Sequence, residues 1–194
     1  NTQPAIFLIS YSIFNVIKKE FNINLNKANF FAGHSLGEYS ALSCAGYIEF
    51  SETIKILRIR GEAMQNSVPK GIGGMVAILG TSIDDVEKIL MDNKDNIDVQ
   101  IANDNSEGQI VVSGKLDDLD KLAITLKSQG IKNIKLPVSA PFHCKLMSNA
   151  TKVMNEEINK INFTKGYNVL MSNVTADKIV DNSEMKNLLI KQIE

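Results

Sequence analysis

Ala28-Asn-Phe-Phe-Ala-Gly-His-Ser-Leu-Gly-Glu-Tyr-Ser-Ala-Leu42 is the stretch whose reading decides the fold. Residues 28 to 33 are short, apolar and bounded by turn signals, which predicts a buried strand. Glu38 to Ala45 read as a helix. Between them stands Gly33-His34-Ser35-Leu36-Gly37, a Gly-x-Ser-x-Gly turn. Small flanking residues permit a strained backbone that pushes Ser35 outward, as in a nucleophile elbow. The helix behind it offers backbone N–H groups, that of Leu36 first, to a developing oxyanion. A bare pentapeptide of this kind is a weak signal, and the strand before it and the helix after it supply the context it needs.

Working outward, residues 3 to 20 are expected to form a helix. Pro4 suits a first turn, and Ile6, Ile9, Ile13 and Ile17 keep helical spacing. Ser51 is the expected N-cap of a helix from Glu52 to Asn66, ended by Pro69 and the glycines after it. Met75 to Leu79 reads as a strand, and Ser82 with Asp85 opens a helix with an acidic first turn. Val99–Ala102 and Gln109–Ser113 are two more strands, joined by a polar loop. Leu116, Leu119, Leu122, Ala123 and Leu126 make one face of a second helix, and Ile131 to Leu136 a fourth strand. The order β-α-β-β-α-β is that of a ferredoxin-like unit. Lys145 to Ile161 is an amphipathic helix, Tyr167 to Met171 a strand, and a last helix begins near Asn182. The expected fold is therefore α/β. An α/β-hydrolase-like parallel-sheet core occupies 1–70 and 137–194, with a ferredoxin-like subdomain inserted at 71–136.

Composition bounds the function. The 194 residues carry 21 Lys+Arg against 22 Asp+Glu, a formal net charge of −1, and 44% are hydrophobic. This balance argues against nucleic acid or an anionic membrane as partner, because phosphate binding needs clustered excess cations. Ala5 to Phe14 is too short and too interrupted by Ser10, Tyr11 and Ser12 to span a bilayer, and no basic segment precedes it as in a signal peptide. Cys44 and Cys144 lack metal or disulfide spacing, so no zinc site is expected and a reducing, cytoplasmic setting is. The chain opens on Asn1 and stops inside a helical pattern, which is expected of a fragment cut at both ends.

A serine nucleophile needs a base, and there are two histidines. His34 adjoins Ser35, and neighbouring side chains on a sharp turn diverge, so it reads as a pocket or packing residue. His143 lies in Ser139-Ala-Pro-Phe-His-Cys144, where a proline stiffens a loop before a helix, and rigid placement is what a general base requires. Its plainer reading is a histidine packed or capping at a helix start. Arg60 shares a helix face with Ile56, Leu57, Ala63 and Met64, so a fixed cation sits on an apolar stripe. A buried guanidinium must be paired, either with an internal carboxylate or with one on a substrate, held bidentately. Gly71-Ile72-Gly73-Gly74 leads into a strand, whereas phosphate-binding glycine loops open a helix. Asp84-Asp85 and Asp117-Asp118 sit in first helical turns as dipole partners. Cys144 is expected to pack.

Taken together, these phrases closely resemble the malonyl-CoA:acyl carrier protein transacylases of fatty acid synthesis. Thr2-Gln-Pro-Ala5, Gly33-His-Ser-Leu-Gly-Glu-Tyr-Ser-Ala-Leu42, Arg60-Gly61 with Met64-Gln65, and Ala140-Pro-Phe-His-Cys144 with Leu146-Met147 all match that family, across essentially the whole chain. The resemblance implies a two-step transfer through a malonyl ester on Ser35, with His143 as base and Arg60 clamping the free carboxylate. Phe142, just before the histidine, matches the residue that goes with malonyl rather than methylmalonyl. Gln192 matches the glutamine whose main-chain carbonyl orients the histidine, and Asn103 and Asn105 match an asparagine pair near the acyl cleft. His34 is carried as a pocket residue. Malonyl-CoA and the phosphopantetheine of acyl carrier protein would be substrates, with no further cofactor, and the protein is expected to act as a monomer. Lys70, Lys145 and Lys152 are candidates for meeting an acidic carrier. The family's Gly-Gln-Gly-Ser-Gln-like loop, which carries a second oxyanion donor, and its Ser-Pro-Val-x-Trp-like stretch are not among these residues. Alternatives are an acyltransferase domain of a polyketide synthase, an α/β-hydrolase-type serine esterase, and a non-catalytic carrier-binding module. The esterase would need a third triad member that the sequence does not offer.

Overall fold

The computed structural model describes residues 1–166, 168–179 and 181–194. The chain divides into two compact units, one of 1–63 and 152–192, the other of 64–151 and 193–194. The expected insert at 71–136 lies within the second.

In the first unit, helix α1 (Thr2–Glu20) precedes a 3-10 turn (Leu25–Lys27), strand β1 (Phe30–Phe31), helix α2 (Leu36–Cys44) and helix α3 (Phe50–Asn66), which runs on past its edge. Helix α1 packs through aromatic residues at i, i+4 and i+7 spacing: Phe7 lies 5.2 Å and Tyr11 4.9 Å from the Phe50 ring, and Phe14 6.0 Å from Phe31. The isoleucines that mark its periodicity, Ile6, Ile9 and Ile13, stand instead on an exposed face. Docking of Phe50 onto α1 also explains why α3 starts before the expected cap. Ser51 lies inside the first turn, where the N–H groups of Glu52 and Thr53 donate to the Glu49 carbonyl.

Strand β1 pairs in parallel with β6 (Val169–Leu170), Phe30 opposite Val169 and Phe31 opposite Leu170. The expected buried strand is thus shorter and more open, and Phe30 is 51% exposed. Among the described residues this ladder has two strands, so only one edge of β1 is paired. Tyr167, the first residue of the expected strand 167–171, lies outside the described residues. Helix α7 (Asn182–Lys191) is capped by Asp181, whose carboxylate accepts from Glu184 N–H at 2.8 Å.

The second unit holds a four-stranded antiparallel sheet in the order β3-β4-β2-β5, built from β2 (Gly73–Leu79), β3 (Val99–Ser106), β4 (Gln109–Lys115) and β5 (Lys132–Lys135). With α4 (Ile83–Asp92) and α5 (Leu116–Ser128) this is the ferredoxin-like order expected. Ser82 caps α4, accepting from Asp85 N–H at 3.2 Å. Strand alternation sends Val76, Ile78, Ile110 and Val112 to one face, against Val86, Leu119, Leu122 and Leu126 of the helices. Met75, Ala77 and Val111 face the other way, where Phe142 and Leu136 pack on them. The polar run Asn103 to Ser106, expected as loop, is strand. Two register shifts absorb it, and a turn at Glu107-Gly108 suffices to reverse the chain. The amphipathic segment after His143 begins with a 3-10 turn (Lys145–Met147) before α6 (Ser148–Lys160), which continues from this unit into the first.

Candidate active site

Ser35 stands at the N-cap of α2 with φ 53 and ψ −111, a conformation unusual for a side-chain-bearing residue. Gly33 makes the turn possible. A Cβ added there would lie 1.9 Å from the Gly37 carbonyl oxygen and 2.7 Å from the Glu38 nitrogen. Gly37 has open space around it, so the two glycines of the motif are not equivalent.

Asn173 fastens the turn from the other side. Its Oδ1 accepts from Ser35 N–H at 2.6 Å, and its Nδ2 donates to the Gly33 carbonyl at 2.7 Å. Gly37 N–H and Glu38 N–H turn back to the carbonyls of His34 and Ser35. The Leu36 N–H, first amide of the helix, is thereby the elbow donor left to face an incoming oxygen.

Arg60, on α3, is 1% exposed although it is the longest cation available to a protein. Its Nη2 donates to Ser35 Oγ at 3.0 Å and to Gln192 Oε1 at 2.9 Å, and its Nη1 donates to Gln3 Oε1 at 2.8 Å. The guanidinium carbon lies 5.6 Å from the Tyr39 ring centre, within cation–π range. Gln192 turns its Nε2 towards the Ser35 carbonyl at 3.1 Å, Asn173 Oδ1 at 3.3 Å, and Glu38 Oε2. Among the described residues Arg60 forms no direct salt bridge, so the internal carboxylate partner offered by the sequence is not in contact with it.

Burial shifts the ionisable groups here. It pushes the Glu38 carboxyl up to about 7, against the hydrogen bond from Gln192 and the attraction of Arg60. It lifts the Tyr39 phenol to about 12 and draws the Arg60 guanidinium below its usual value, while Tyr39 and Glu38 pull the latter back up.

Ser35, Leu36, Arg60 and Gln192, four residues singled out from the sequence, are therefore gathered in the first unit. His34, also of this unit, is exposed, which corrects the packing reading. The other expected site residues belong to the second unit. His143 is buried, with φ 57; it and Ser35 are two of four non-glycine residues with positive φ among the described residues. Its loop is pinned where the Pro141 ring seats over Gly73, whose added Cβ would come within 2.4 Å of the ring. Cys144 packs, as expected, its thiol donating to the Pro141 carbonyl at 3.2 Å. Lys145 N–H donates to Gln100 Oε1 at 2.7 Å, and its Nζ pairs with Asp98. Phe142 is half-buried on the sheet, Asn103 half-buried on β3, and Asn105 exposed.

Gln3, Glu38, Tyr39 and Asn173 were not singled out from the sequence. Their roles depend on chain crossings that periodicity does not encode.

The model of the acyl transferase domain matches residues 1–187. The chain belongs to the acyl transferase domain family. This acyl transferase domain is 34% identical over 193 residues to the malonyl CoA-acyl carrier protein transacylase of Salmonella typhimurium, covering 99% of the chain and 62% of that protein. The acyl-carrier-protein-S-malonyltransferase of Bartonella henselae superimposes with a TM-score of 0.93 at 38% identity, over 100% of the chain and 62% of the neighbour. A malonyl-transacylase solved with a type II polyketide synthase acyl-carrier protein gives 0.91 at 32% identity, over 99% and 62%. The chain spans about 62% of the length of the first relatives it matches. Among the described residues no helix is long and apolar enough to cross a membrane, and no three His, Cys, Asp or Glu side chains cluster as metal ligands.

Proposed function

We propose that this chain carries the serine of a malonyl-CoA:acyl carrier protein transacylase. The observation that carries the reading is Arg60 Nη2 at 3.0 Å from Ser35 Oγ. A cation buried beside a nucleophile suits an acyl group that bears its own carboxylate two carbons from the bond being made. An acetyl group would leave that charge without an anionic partner.

In the first half-reaction Ser35 Oγ attacks the thioester carbonyl and its proton passes to His143. The carbonyl oxygen gathers charge near the Leu36 N–H, the C–S bond breaks, and His143 returns the proton to the departing CoA thiol. In the second, the phosphopantetheine thiol of the carrier attacks the malonyl-serine ester, losing its proton to His143, which then reprotonates Ser35. The Gln192 main-chain carbonyl orients His143 in this scheme. Phe142, His34, Asn103 and Asn105 contact the acyl donor. No metal or cofactor enters either step, and the enzyme works as a cytoplasmic monomer.

The test is transfer itself. The protein is mixed with malonyl-CoA and carrier protein, and the carrier's mass is followed. Malonylated carrier should form with wild type and be lost with Ser35→Ala and with His143→Ala. Equal transfer by either variant would refute the assignment.

A further inference from the structure

Arg60 is a fully buried positive charge whose direct acceptors, Gln3 Oε1, Ser35 Oγ and Gln192 Oε1, are all neutral. A buried charge needs a counter-charge as well as hydrogen bonds. The carboxylate of this network is Glu38, itself 1% exposed on α2. Gln192 joins the two, accepting from Arg60 through Oε1 and donating to Glu38 Oε2 through Nε2. An amide has one accepting and one donating end. An ionised Glu38 can only accept, so with the Ser35 carbonyl and Asn173 Oδ1 it holds the donating end of Gln192 and leaves the accepting end to the guanidinium. A purely structural carboxylate would spend both oxygens on donors, yet Glu38 Oε1 is buried with no hydrogen-bond partner among the described residues. Besides the hydrogen bonds that the Gln192 side chain and the Asn173 backbone give the carboxylate, the attraction between Glu38 and Arg60 acts on both.

We infer that Glu38 is the buried counter-charge of Arg60 and a positioning residue, acting through Gln192 to set how strongly the guanidinium holds a carboxylate-bearing acyl group. The inference rests on the acyl-transfer reading above. Glu38 tempers Arg60: it offsets part of the positive field, so the acyl carboxylate is selected and still released to the next acceptor. A Gln at this position keeps an acceptor for Gln192 and removes the charge, while a Leu removes both.

The experiment measures Ser35 acylation by malonyl-CoA and by acetyl-CoA near pH 8, for wild type, Glu38→Gln and Glu38→Leu. Glu38→Gln should lower the KM for malonyl-CoA relative to that for acetyl-CoA by about three- to tenfold, since an uncompensated Arg60 attracts the anion more strongly. Glu38→Leu should lower kcat with both donors, because Gln192 Nε2 loses its carboxylate acceptor and keeps only the Ser35 carbonyl and Asn173 Oδ1. An unchanged malonyl-to-acetyl KM ratio in Glu38→Gln would overturn the inference, even with transfer intact. Should wild type acquire no malonyl group, the transfer reading itself fails, and unfolding midpoints at the same pH decide the counter-charge. The gain in midpoint from Glu38→Gln should be larger in an Arg60→Met background than in wild type, and equal gains would overturn it.

Discussion

Burial of Glu38 makes a quantitative prediction about stability. Its carboxyl rises from 4.5 to about 7 on folding, chiefly because burial penalises the charged form. Between those values the folded chain keeps a proton that the unfolded chain has released, so the free energy of unfolding falls as pH rises. The contribution is complete below the unfolded value and is lost as pH climbs through the folded one. The rise corresponds to about 3 kcal/mol, at about 1.4 kcal/mol per pKa unit. Tyr39, at about 12, lies far outside this window, and Arg60 stays protonated through it. Glu38→Gln removes the titrating group and leaves the rest of the profile, so subtracting the variant from wild type isolates the carboxyl. Urea denaturation followed by circular dichroism, across about pH 4.5 to 8.5, should show wild type losing about 3 kcal/mol relative to the variant. That is a fall of ~1 M or more in relative midpoint. A difference that stays flat, or that rises with pH, would refute the assignment of a desolvated carboxyl to this position.

Other predictions concern the elbow and the acyl pocket. Gly33→Ala must displace the Gly37 carbonyl and should destroy both acylation and a cooperative unfolding transition, whereas Gly37→Ala meets open space and should gain up to about 1 kcal/mol from helix propensity in the same denaturation assay. Asn173→Ala removes the two hydrogen bonds that hold Gly33 and Ser35, and should lower kcat by roughly 10- to 100-fold with KM little changed, read by steady-state transfer kinetics. Arg60→Ala should cost malonyl transfer about 3 kcal/mol, on the order of 100-fold in kcat/KM, and raise the acetyl-to-malonyl ratio in side-by-side donor assays.

The sequence is legible where one local rule suffices. The Gly-x-Ser-x-Gly turn announces the elbow, the β-α-β-β-α-β order announces the second sheet, Ser82 caps α4 where capping chemistry puts it, and the last helix begins at Asn182 as expected. Arg60 is visible as a cation on the stripe of Ile56, Leu57 and Met64, and it is buried there. What the sequence hides is set by contacts distant in the chain. Helix α1 faces its unit with Phe7, Tyr11 and Phe14 because Phe50 and Phe31 are there to receive rings, a preference that isoleucine spacing cannot report. Polar residues 103 to 106 continue a strand because bulges let them stay paired with β4. Asn173 and Glu38 matter through partners 138 and 154 residues away, at Ser35 and Gln192. Even Gly33 and Gly37, alike in the motif, differ in the fold because one lies against the first turn of α2 and the other faces open space.

The central claim is that Ser35 is acylated and that Arg60 beside it selects a carboxylate-bearing group. Intact-mass spectrometry of the protein after brief exposure to malonyl-CoA or acetyl-CoA, followed by peptide mapping, tests it most directly. The account predicts a malonyl-sized adduct on Ser35 that is lost in Ser35→Ala, is much weaker with acetyl-CoA, and loses that preference in Arg60→Ala. A malonyl adduct on another residue, or equal loading by both donors in wild type, would contradict it.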